Sequence, residues 1–186
     1  MLTVVGIDPG STSATGFSEV CIEDGLPPKV ITVFSAHSKE ALMRSKLNLN
    51  VRSEMDCRFD GFGRIAECFV KMVSPDLIVC ESPYFRKIPL PYGRLMQLNM
   101  VLRLFSGYGE PNAPFESVTP SQAKSNIKVQ GNSGDKDLVK KALLDKIKDG
   151  TLLFADDIDI DSIDEHGFDS IAVALYGINV ILGIQA

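Results

Sequence analysis

Apolar runs alternate with turn signals along this chain, and their lengths separate strands from helices. Residues 2–8 form a continuous apolar stretch that ends in one carboxylate, Asp8, the pattern of a buried strand. Residues 15–22 and 29–35 read as two further strands, split by Asp24-Gly25-Leu26-Pro27-Pro28, so a three-strand antiparallel meander is expected. Residues 36–57 are polar and weakly patterned, as in a helix and loop. Over 61–73, apolar Ile65, Cys68, Phe69 and Met72 recur at helical spacing, and Pro75 ends the run. Residues 76–81 are again continuously apolar and end in a second carboxylate, Glu81, which suits a central parallel strand. A proline-rich loop is expected over 82–91, a buried helix over 95–108 and a short strand over 115–118. Thr119 is a good cap for a helix over 120–126 with Pro120 in its first turn. A turn over 130–135, an amphipathic helix over 135–148, an acidic loop over 156–165 and a last apolar helix over 167–183 complete the pattern.

This order implies an α/β fold, a mixed sheet flanked by helices, with Asp8 and Glu81 at corresponding ends of adjacent strands. At 186 residues and 45% hydrophobic content, one domain spanning 1–186 with a sizeable core is the simplest organisation. No apolar run approaches the roughly 20 residues that span a bilayer, and no secretory signal is apparent. Cys21, Cys57, Cys68 and Cys80 form no C-x-x-C pair and read as reduced thiols, so a cytoplasmic setting is expected.

The net charge of −5 is unevenly spread. Residues 86–148 carry eleven Lys or Arg against five Asp or Glu, whereas 149–186 carry eight acids and no Lys or Arg. A basic middle beside an acidic end suits a protein that meets phosphates on one surface and holds a cation on another.

The chemistry concentrates at the first strand end. Asp8 enters a Pro9-Gly10-Ser11 turn, and Gly10 and Gly16 allow backbone or ligand to come close. Such a hairpin serves two chemistries: it holds a metal ion for phosphodiester cleavage, or it cradles nucleotide phosphates. Asp8 and Glu81 on strands about 4.8 Å apart could share a divalent ion. His166 and Asp169, spaced i,i+3 at the start of the last helix, lie on one helix face, although an acidic helix start is also ordinary capping chemistry.

Four segments together resemble the RuvC family of Holliday-junction resolvases, in the ribonuclease H-like superfamily. They are Gly6-Ile7-Asp8-Pro9-Gly10-Ser11 with Gly16, then Asp76 to Glu81 with Ser82-Pro83-Tyr84, then Val118-Thr-Pro-Ser-Gln-Ala-Lys124 through Gly131 and Gly134-Asp-Lys136, then His166-Gly-Phe-Asp169-Ser-Ile-Ala-Val-Ala-Leu175. Their order and spacing match along nearly the whole chain. The resemblance implies a ribonuclease H-like fold with a five-stranded mixed sheet, three antiparallel strands then two parallel. It implies an endonuclease that resolves four-way junctions by paired symmetric nicks, leaving 5′-phosphate and 3′-hydroxyl ends. It places catalytic, metal-holding carboxylates at Asp8, Glu81 and Asp169, with two Mg²⁺ ions (or Mn²⁺) per site. The fourth family position falls at His166, where many relatives have Asp and some have His. Lys124 and Lys136 are implied to contact DNA phosphates, and Tyr84 to stack on a base. Arg86, Lys87 and Arg94 would widen that surface, with Phe85 beside Tyr84. The helix over 95–108 is implied to form a homodimer interface.

Three other readings compete. The opening hairpin also looks like that of actin-like and sugar-kinase ATPases, which need a second lobe and a second phosphate loop. A non-catalytic junction-binding protein gains nothing from carboxylates facing phosphate. A nuclease of the same fold with broader taste for forks and flaps differs only in loops such as 36–59 and 82–94.

Overall fold

The computed structural model describes residues 1–10, 13–83, 89–129 and 137–183. Its centre is a mixed sheet of six strands in the order β5-β4-β1-β2-β3-β6. β1 (Leu2–Asp8), β2 (Ala14–Ile22) and β3 (Lys29–His37) form the expected antiparallel meander. β4 (Leu77–Glu81) runs parallel to β1, and β5 (Phe115–Val118) runs parallel to β4. The sixth strand, β6 (Leu153–Phe154), corrects the expectation of five. It adds only two residues, parallel to Lys29 and Val30 of β3, anchored by N–H bonds from Leu153 to Pro28 and from Ala155 to Val30. So short a strand carries no periodicity for a sequence to display.

Helices cover both faces. On one face lie α2 (Glu54–Val73) and α3 (Pro89–Gly109), with α1 (Ser38–Arg44) against α2. Their buried Phe59, Phe62, Ala66, Phe69, Leu98 and Leu102 pack on Val5, Ile7, Phe17, Ile78 and Cys80 of the sheet. On the other face lie α4 (Pro120–Asn126), α5 (Asp137–Lys148) and α6 (Glu165–Tyr176). There Phe168, Ile171, Ala172 and Leu175 meet Val4, Val20, Leu77 and Val79.

Three helices differ from their expected bounds, and α3 begins at Pro89 rather than at residue 95, inside the stretch expected as a proline-rich loop. α2 begins seven residues before residue 61, because Ser53 caps it reciprocally with Asp56 and buries Cys57 and Phe59 in its first turns. α6 begins at Glu165, two residues before 167, and passes after Tyr176 into a π-helical turn, Gly177–Ile181. The expected turn over 130–135 lies outside the described residues. The four cysteines are free thiols, three buried and Cys68 exposed. Among the described residues, no helix is long and apolar enough to cross a membrane.

The contact that positions everything else is between α6 and the two central strands. A Cβ placed on Gly16 would sit 2.0 Å from the backbone oxygen of His166, and one on Gly6 would sit 2.1 Å from that of Ser170. Helix backbone therefore rests on sheet backbone, which only glycine permits. Gly16→Ala should destabilise the fold by about 2 kcal/mol, since neither backbone can yield cheaply; urea unfolding with an unchanged m-value would measure it.

Candidate active site

Side chains alternate faces along a strand, and this sets which groups meet. Val4 and Gly6 of β1 face α6, so Asp8 does as well. Leu77 and Val79 of β4 face the same way, so Glu81 does too. The β1–β4 register runs to Ile7 opposite Cys80, which puts Asp8 and Glu81 at corresponding ends of neighbouring parallel strands. Cys80, fully buried between them on the opposite face, has its thiol pushed well up, first by burial and then by the charges of Asp8 and Glu81.

α6 brings the third and fourth groups. Asp164 caps it, accepting the N–H of Gly167 at 2.9 Å and the hydroxyl of Ser35 at 2.5 Å, so the helix start is tied to β3. Burial pushes the Asp164 carboxyl up, but those two hydrogen bonds and the nearby His166 and His37 outweigh it, and the net shift is downward. With the helix start fixed, His166 Nδ1 donates to Asp8 Oδ2 at 2.6 Å. Its other ring nitrogen, Nε2, lies 3.2 Å from Ser13 Oγ, so the imidazole is held at both ends. The bond to Asp8 raises the pKa of His166 despite burial, and the charges of Asp8, Asp164 and Glu165 add to that rise.

Asp8 is only 5% exposed. One turn along α6, Asp169 is half-buried, and burial followed by repulsion from Asp8 pushes its carboxyl up to about 6. Lys124, at the end of α4, and His166 oppose that rise. Asp8, His166, Asp169 and Lys124 thus lie within electrostatic reach of one another, with Glu81 on the adjoining strand end.

Carboxylate oxygens crowded in this way are ligands of the type that Mg²⁺ and Mn²⁺ take, and the mutual repulsion of Asp8 and Asp169 is charge that a divalent cation would offset. The donor set therefore fits such an ion in kind. Among the described residues, no three His, Cys, Asp or Glu side chains form a ready-made ion cluster, and one Asp8 oxygen is engaged by His166.

No family model matches the chain, and no curated protein matches it in sequence. Solved structures do. RuvC of T. thermophilus in complex with a Holliday junction substrate superposes with a TM-score of 0.65 over 98% of this chain and 97% of that one, at 14% identity. The chain has the fold of the RuvC resolvases. A second Thermus thermophilus RuvC structure gives 0.63 over the same shares at 17% identity. The yeast mitochondrial Holliday junction resolvase Ydc2 gives 0.65 at 18% identity, over 93% of this chain and 76% of that one. The RuvC-like, ribonuclease H-like fold expected from the four segments is thus present, with one strand more than expected.

Of the side chains expected to contact DNA, Lys124 and the half-buried Arg94 of α3 are placed. Tyr84, Phe85, Arg86, Lys87 and Lys136 lie outside the described residues. Sequence reasoning missed Ser13, whose contact with His166 spans 153 positions and leaves no local trace. It also missed Asn99, which donates its amide to the Glu81 carbonyl at 3.2 Å. Gln97 offers a second amide in the same helix, so its composition did not single out Asn99.

The Asp8–His166 pair is the most testable feature of this geometry. Removing one partner of a buried ion pair leaves the other uncompensated. His166→Phe should cost about 3 kcal/mol of stability, and Asp8→Asn added to it should recover much of the loss. Chemical denaturation of the two single variants and the double variant would read the coupling.

Proposed function

We propose that this protein is a divalent-metal-dependent endonuclease that resolves four-way DNA junctions by paired symmetric nicks. One observation carries the reading: a fold shared over nearly the full length with junction resolvases gathers Asp8, Glu81, His166 and Asp169 at one end of its central strands.

Asp8, Glu81 and Asp169 would hold two Mg²⁺ or Mn²⁺ ions. When bound, such ions lower the pKa of water and stabilise charge on a leaving oxygen. Asp8 would be the most buried of these ligands, with one oxygen also engaged by His166. His166 is oriented by Asp8 at Nδ1 and presents Nε2 beside Ser13, so Nε2 is the atom at which a proton can be held or released. Lys124 brings positive charge next to Asp169, where a scissile-strand phosphate would lie. Lys136, Arg86 and Lys87 would extend those phosphate contacts, and Tyr84 would stack on an opened base. The nicks would carry 5′-phosphate and 3′-hydroxyl ends.

Two symmetric nicks need two active sites, and α3 supports a two-fold dimer. Met96, Met100, Leu104 and Tyr108 are exposed at steps of four residues, with Leu90 exposed near the start of the helix. Four large apolar side chains in one helical stripe suit burial against a second copy.

The test uses a synthetic four-way junction and a linear duplex, each with and without Mg²⁺. The expected result is paired nicks in the junction alone, dependent on the cation, and slowed at least about a thousandfold by Asp8→Asn. Equal cutting by Asp8→Asn would overturn the assigned site. A wild-type protein that binds the junction and never cuts it would be a binding protein.

The dimer has its own test. Met100→Asp together with Leu104→Asp should yield a monomer by analytical ultracentrifugation, and should replace paired nicks with single, uncoupled ones.

A further inference from the structure

One rung of the β1–β4 ladder has no backbone donor on the β1 side, because residue 9 is a proline. β4 sends the N–H of Ile78 to the Pro114 carbonyl and that of Ser82 to the Val118 carbonyl, both on the β5 side. Backbone groups alternate sides along a strand, so Glu81 turns its own N–H and carbonyl toward β1. The β1–β4 ladder stops at Ile7 opposite Cys80. One step further, the Glu81 carbonyl would accept from the N–H of residue 9. Residue 9 is proline and has none.

Asn99 stands in for that rung. Its side-chain Nδ2 reaches from α3 to the Glu81 carbonyl at 3.2 Å, and lies 3.3 Å from Cys80 Sγ. The amide is part-buried and spends its donors on the end of β4 rather than on solvent. The flanking Met96 and Met100 belong to the exposed stripe of the same helix.

We propose that Asn99 is a positioning residue: its amide replaces the backbone donor missing at Pro9, fixes the end of β4 and so sets where the Glu81 carboxylate points. This rests on the nuclease reading for its consequence, though not for its geometry.

The experiment combines Asn99→Leu, close in size and without a donor, with Pro9→Ala, which restores an N–H at residue 9. In junction nicking under Mg²⁺, Asn99→Leu should lower kcat about tenfold and leave junction affinity within about twofold, because misplacing a reacting group slows chemistry more than binding. In the Pro9→Ala background the same change should cost less than about threefold, since the restored N–H at position 9 takes the rung. Amide hydrogen exchange read by NMR gives an independent measure. The Asn99 side-chain protons should be protected in the wild type, and the new backbone amide at position 9 protected in the double variant. An equal loss of kcat in both backgrounds, or an unprotected amide at position 9, overturns the proposal. Should the wild type fail to nick junctions, the nuclease reading falls, and the exchange pattern alone then decides for or against the rung.

Discussion

The architecture depends on one close approach: the first half of α6 rests on β1 and β2 with backbone against backbone. Gly6 and Gly16 carry no side chain where the helix crosses, and α6 answers with small Ser170, Ala172 and Ala174. A single methyl at either glycine would separate the layers. The consequence is chemical as much as structural. A helix held this close presents residues one turn apart, His166 and Asp169, directly to a carboxylate on the strand below. At an ordinary helix-to-sheet separation, the 2.6 Å contact between Asp8 and His166 would not close.

Much of this was legible in the sequence because the period of each element matches its burial. Continuous apolar runs ending in an acid marked β1 and β4, and the i,i+3 spacing of His166 and Asp169 marked the functional face of α6. What stayed hidden has physical reasons. β6 is two residues long and exists because loop backbone finds free groups on the edge of β3. The start of α2 hid in a polar stretch because a cap, not an apolar period, begins it. Ser13, Asn99 and the tie between Ser35 and Asp164 act across 153, 18 and 129 positions, and no window of sequence holds both partners.

The uneven charge along the chain also acquires a meaning in three dimensions. The basic middle and the acidic end are separate in sequence, yet α4 and α6 pack together and bring Lys124 beside Asp169. Charges separated by more than a Debye length, about 8 Å at physiological salt, scarcely sense one another. A net charge of −5 therefore says little about what a phosphate meets at this end of the sheet. The local sign there is mixed.

That mixture has a structural cause. A carboxylate at the end of the most central strand is expensive to desolvate, and Asp8 is almost wholly buried. One imidazole meets the cost through a direct hydrogen bond. The same imidazole only partly offsets the position of Asp169, which burial and then the charge of Asp8 shift toward its neutral form. Positive charge near Asp169, from Lys124 and His166, relieves that shift only in part. Burying two carboxylates beside one histidine and one lysine thus leaves Asp169 as the group whose charge a bound cation would offset.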